Sequence, residues 1–159
     1  MRYFTLQEAE RLLPAVEEHL RDALFHKAEY QSAHEALEAS LLHIRASGGA
    51  RVDQTKLSQL QGKQTESVVA LQEAMEKIAQ SGAMVKDLDI GLLDFMSRYR
   101  DQDVCLCWKF GESSIHFWHG EEEGFRGRKP IDDQFLREHH NQAPGSGLED
   151  MGSGSGLPN

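Results

Sequence analysis

The sequence predicts an α+β chain: a long antiparallel, coiled-coil-like helical hairpin with a small antiparallel β-sheet head packed on its open end. Three observations lead there. Apolar residues recur at alternating three- and four-residue spacings from Leu13 to Ile44, and again from Leu57 to Ile78. The turn-forming stretch SGGARVD, residues 47–53, separates the two runs. After Gly82 the hydrophobic period switches to two, the period of half-buried strands.

The first helix has a clear start. Thr5 followed three residues later by Glu8 has the spacing of a capping box, and Phe4 before the cap can pack back on the first turn. The inner seam reads Leu13, Val16, Leu20, Ala23, Lys27, Tyr30, His34, Leu37, Leu41 and Ile44, with three polar or amphipathic members in its middle. Pro14 lies inside this pattern and is expected to bend or break the helix, because it removes one backbone hydrogen bond. The return seam reads Leu57, Leu60, Gln64, Val68, Leu71, Met75 and Ile78, and Gly82 is placed to cap it. Gly62 costs about 1 kcal/mol of helix propensity without ending the helix. At 1.5 Å per residue the first helix is about 60 Å long and the second about 40 Å. The return helix then falls short of the N-terminal turns, so Leu6, Leu12, Leu13 and Val16 need another partner. The segment after Gly82 is the natural one.

That segment reads as strands. AMVKDLDI, residues 83–90, alternates. LLDFM suits a strand or a tight helical turn. VCLCWKF, residues 104–110, is the clearest strand, and SIHFWHG, residues 114–120, comes after it across a Gly-Glu-Ser-Ser link that suggests a hairpin. EEEGFRGRKPI is turn-rich, and a short helix fits residues 132–139. The division expected is a helical hairpin at 1–82 whose first turns dock on the head, a β head at 83–137, and a tail at 138–159. The tail's Gly- and Ser-rich composition predicts no fixed structure.

Composition narrows the function. With 17 basic and 26 acidic residues the formal charge is -9, and no basic run is present, which argues against nucleic acid as a partner. No apolar run approaches bilayer length, and the N-terminus lacks the apolar core of a signal peptide. Two cysteines one residue apart make no disulfide framework. The expectation is a cytoplasmic protein outside the membrane. Two helices alone bury little surface, so a homodimer through the hairpins is expected, with a further protein partner as a possibility.

The chemistry-bearing stretch is VCLCWKFGESSIHFWHG, residues 104–120, which holds both cysteines, both tryptophans and two of the eight histidines. Strand geometry puts Cys105, Cys107 and Lys109 on one face, with Val104, Leu106, Trp108 and Phe110 on the other. Cys105, Cys107, His116 and His119 nominally supply four zinc ligands. His116 and His119, three residues apart, would however point to opposite faces of one strand, and Cys-x-Cys lacks the turn of a zinc knuckle. The expectation is therefore no stoichiometric zinc or iron and no cofactor, the cysteines serving as small apolar residues. Asp87 and Asp89 read as the wet side of an edge strand. Asp94, in the apolar setting Leu92-Leu93-Asp94-Phe95, should seek a donor. Arg126 and Arg128 are candidates, as are His119 and Trp118. Asp94, His119 and Arg128 meeting between Trp108 and Trp118 would form a shallow site for a small anion or metabolite. The competing reading is a buried polar network. No nucleophile elbow, P-loop or dinucleotide fingerprint accompanies either.

Three blocks, YFTLQEAERLLP, VKDLDIGLLDF, and VCLCWKFGESSIHFWH with GFRGRKPI, resemble the bacterial domain of unknown function 2203 family over about residues 3–131. Members of that family commonly have glycine at the position of His116 and proline at that of Met96, which weakens a metal role for His116. The resemblance implies no established activity. The leading expectation is a non-catalytic structural or interaction module that self-associates through its hairpin. The alternative is a small-ligand or catalytic site in the head.

Overall fold

The computed structural model of the chain describes residues 2–49 and 51–139. Helix α1 spans Leu6–Ala46 and α2 spans Gln54–Ser81, packed together as a hairpin. The capping box forms: Thr5 Oγ1 accepts from the Glu8 backbone N–H and a Glu8 carboxylate oxygen accepts from the Thr5 N–H, each at 3.1 Å. Helix α2 opens on Asp53, whose side chain accepts from the Lys56 N–H, and closes on Gly82 at φ 94°. A side chain at Gly82 would sit 2.8 Å from the Phe4 ring, so both backbone conformation and space call for glycine there.

Of the bend or break expected at Pro14, the break does not occur: α1 is continuous through it. Pro14 is exposed. The carbonyl one turn before it, which loses its helical donor, therefore lies where water can serve it.

Burial along the hairpin is uneven. Leu13, Val16, Leu20 and Ala23 in α1 and Ile78 in α2 are buried, as the seams predict, and so are Ala33 in α1 and Ser67 and Ala74 in α2. Ala33, Ser67 and Ala74 are thus small buried residues beside positions where the periodicity points to larger neighbours. Tyr30, His34 and Leu37 are only half-buried, and Leu41 is 40% exposed.

The sheet has five strands: β1 Met84–Asp87, β2 Leu92–Tyr99, β3 Gln102–Lys109, β4 Phe117–Gly120 and β5 Lys129–Pro130. They pair antiparallel, in sequence order. β1 is shorter than the alternation suggests. The Asp87 carboxylate accepts from the N–H groups of Asp89 and Ile90, bending the chain, and Asp89 pairs with Lys27. Asp87 therefore ends the edge strand and Asp89 lies in the turn after it, so the two do not line one strand face. LLDFM is strand. The β2–β3 turn places Arg100 and Asp101 at φ 51° and 60°, the geometry of a two-residue hairpin loop. The expected strand at 114–120 begins only at Phe117, because the Ile115 N–H donates to Glu10 of α1 instead of joining the ladder.

One face of the sheet carries Leu93, Phe95, Val104, Leu106 and Trp108. It packs with Phe4, Ala9, Leu13, Val16, Leu20 and Ile78 into the main core. The overhanging start of α1 has thus found the sheet, as the unequal helix lengths require. Since β1 pairs with only the first part of β2, the free edge beyond it takes the N-terminal segment: the Phe4 N–H donates to Met96 O at 2.7 Å. Helix α3, Asp133–Glu138, closes the end of the core, with Phe135 stacked on Tyr99 and close to Trp118. His139 ties it down, one ring nitrogen accepting from the Leu6 N–H and the other facing Arg98 O. The fold thus includes Glu138 and His139, which composition had assigned to the tail. The rest of that tail, 140–159, lies outside the described residues. Among the described residues no helix is long and apolar enough to cross a membrane.

Candidate functional site

Strand pairing decides which side chains meet. Asp94 is opposite Cys107 and Met96 opposite Cys105 across β2 and β3, while His119 is opposite Cys105 and Phe117 opposite Cys107 across β3 and β4. Directly paired residues of an antiparallel sheet share a face. Asp94, Met96, Cys105, Cys107, Phe117 and His119 therefore occupy the face turned away from the helical core. Five of these six are buried, Phe117 being half-buried. The second face of this small sheet is thus closed as well as the first.

Its centre is an ion pair. His119 Nε2 lies 3.1 and 3.0 Å from the two Asp94 carboxylate oxygens, with side-chain exposures of only 2% and 1%. His119 Nδ1 lies 2.7 Å from the Gly120 carbonyl oxygen. With both ring nitrogens on acceptors, the imidazolium is the form that satisfies the site. The His119 pKa is accordingly raised, chiefly by the bond to Asp94 and against the cost of burial.

Two thiols share this face. One ligating atom each from Asp94, Cys107 and His119 lie within 4.8 Å of one another. Burial, reinforced by the Asp94 charge, pushes the thiols of Cys105 and Cys107 up to about 12. Cys105 is turned toward Met96, its sulfur 3.7 Å from the thioether. Both cysteines are free.

Other candidates lie elsewhere. Trp108 and Trp118 are on the opposite face, by register with Leu93 and Leu106, so they do not line a pocket around Asp94 and His119. The Trp108 indole N–H donates to Glu112 O, and Trp118 packs against Tyr99 and Phe135. His116 is exposed, beside the hydroxyls of Ser113 and Ser114, and takes no part in the cluster. Arg126 is exposed. Arg128 meets Glu112 rather than Asp94: one guanidinium nitrogen lies 2.6 and 2.7 Å from the Glu112 carboxylate oxygens and also reaches Cys107 O. Its guanidinium lies 4.1 Å over the Phe117 ring, while its Nε is buried with no hydrogen-bond partner among the described residues. The loop after β4 is held by Glu123, which accepts from the Gly120 N–H at 2.7 Å. A Cβ at Gly127 would meet the Glu123 Cβ at 2.5 Å, so this return of the chain needs a glycine.

Glu112 is the residue that sequence reasoning missed. It accepts from Arg128 and from the Lys109 N–H, joining the end of β3 to the residue just before β5. The available signal was an acidic residue directly after a glycine between two apolar strands. The geometry therefore satisfies Asp94 by His119 and Arg128 by Glu112, leaving neither as the free charge that an anion site wants.

A family model described as "Uncharacterized conserved protein (DUF2203)" matches residues 2–131. No curated protein and no solved structure matches the chain.

Proposed function

The chain belongs to the uncharacterised DUF2203 family, and from its own geometry we propose that it is a non-catalytic interaction module that self-associates through the far half of its helical hairpin. One observation carries this reading. The buried residues of α1 end at Ala33 and those of α2 begin at Ser67, so none of the described residues between them is buried. Heptad leucines nevertheless continue through this stretch. Leu41 and Leu42 are 40% and 68% exposed, flanked by Glu38 and Arg45 along one groove. Two helices give each other one narrow stripe of contact, whereas a second hairpin laid alongside would give each apolar seam another layer to pack against.

Two free, buried thiols suit a reducing cytoplasm, and the charge of -9 disfavours a nucleic-acid partner. Light scattering on the full chain should report a dimer at micromolar concentration. Leu41→Glu with Leu42→Glu should convert it to a monomer with an unchanged thermal transition of the head. A monomeric wild type would refute self-association.

A further inference from the structure

We propose that Asp94, Cys107 and His119 form a binding site for one borderline divalent cation of the zinc class, on the sheet face opposite the helical core. This goes beyond the role assigned to the arm and does not depend on it. It also replaces the ligand set that the cysteine and histidine spacing suggested. His116 is outside the cluster, and the strand register supplies Asp94 in its place.

Three features of the geometry support the site. The first is convergence: a thiol, an imidazole and a carboxylate from three adjacent strands bring ligating atoms within 4.8 Å of one another, and all three residues are buried. A tetrahedral ion with nitrogen and oxygen ligands at about 2.0–2.1 Å holds them roughly 3.3 Å apart. The Nε2–carboxylate separations of 3.0 and 3.1 Å are close to that. The second is orientation. The Gly120 carbonyl accepts from Nδ1–H at 2.7 Å, the outer-shell bond that fixes a ligating histidine with Nε2 toward the metal. The third is charge: a divalent cation held by a neutral imidazole, a carboxylate and a thiolate makes a set that is neutral overall, which a buried site tolerates.

The donor set selects the ion. One sulfur and one imidazole nitrogen are poor ligands for calcium or magnesium and good ones for zinc or cobalt. Cys105 is left out because its sulfur is turned to Met96. Three protein ligands leave the fourth position to the second Asp94 oxygen or to solvent.

The test is a cobalt(II) titration of the chelator-stripped full chain under reducing, oxygen-free conditions, followed by absorption, with elemental analysis of the protein as purified. One equivalent of cobalt is expected, with a thiolate-to-cobalt charge-transfer band and intense visible bands of low coordination number. Zinc should displace it. Cys107→Ser should abolish the charge-transfer band, whereas Cys105→Ser should keep it at full intensity. Circular dichroism of each variant identifies one that has merely failed to fold, and the wild-type titration stands without them. Folded wild type that takes up no stoichiometric cobalt or zinc would overturn the site. Loss of the band in folded Cys105→Ser, or its retention in Cys107→Ser, would overturn the ligand set.

Discussion

The head and the far half of the arm are written in equally regular hydrophobic patterns, yet they bury very different amounts. In the head, one sheet face meets α1, α2 and α3, and the other closes over Asp94, the thiols and His119. Beyond Ala33 and before Ser67, leucines at heptad spacing stay half-buried or exposed. Periodicity states which residues share a face, whereas burial needs a layer to cover that face. The head contains that layer within one chain. Among the described residues, the far half of the arm has no such layer over its seam.

Core truncation should show this contrast most strongly. Leu106→Ala, at a fully buried position facing α1, should cost about 2–5 kcal/mol in denaturant unfolding. Leu37→Ala in the arm should cost well under half as much in dilute, monomeric protein. Equal losses would mean that the arm has a core of its own.

Next in size is the buried pair. In metal-free protein, Asp94→Asn leaves the His119 imidazolium without its counter-charge and should lower stability by about 3–5 kcal/mol. Replacing both partners, with Asp94→Leu and His119→Leu, should recover much of that loss. If the single change costs no more than the double, the pair is not coupled as the geometry indicates.

Arg128→Lys comes third. The side chains of Arg128 and Glu112 are 12% and 21% exposed, so water screens part of this ion pair. The lysine keeps the charge but loses the planar group packed on Phe117. About 1 kcal/mol should be lost, read as a lower denaturation midpoint with an unchanged slope.

The smallest effect has the opposite sign. A Cβ at Gly62 of α2 would meet nothing within 4 Å, so Gly62→Ala should stabilise the arm by about 0.5–1 kcal/mol. A destabilised variant would reveal that a partner packs against that position.

Much of the fold is legible in sequence because it rests on local signals. Thr5 and Glu8, Gly82, the 47–53 turn and the period-two strands each state their structure within a few residues. Ala33, Ser67 and Ala74 were less legible, because small residues gain their place from how closely two helices approach. The continuity of α1 at Pro14 depends on that residue facing water, which periodicity alone did not weigh. At the site, Asp94 and His119 were identifiable as a carboxylate in apolar surroundings and a nearby donor. The partnership of Asp94 with Cys107 and of Arg128 with Glu112 was not, because each depends on strand register and on a loop's return path. The tryptophans show the same limit: near His119 in sequence, they lie across the sheet from it.

Amide hydrogen exchange on the full chain, at two protein concentrations a hundredfold apart, tests the contrast between head and arm most directly. Self-association through the arm predicts that protection across residues 34–66 rises with concentration, while protection in β2, β3 and the first turns of α1 stays fixed. Protection in the arm that is strong and independent of concentration, in protein shown to be monomeric, would contradict it.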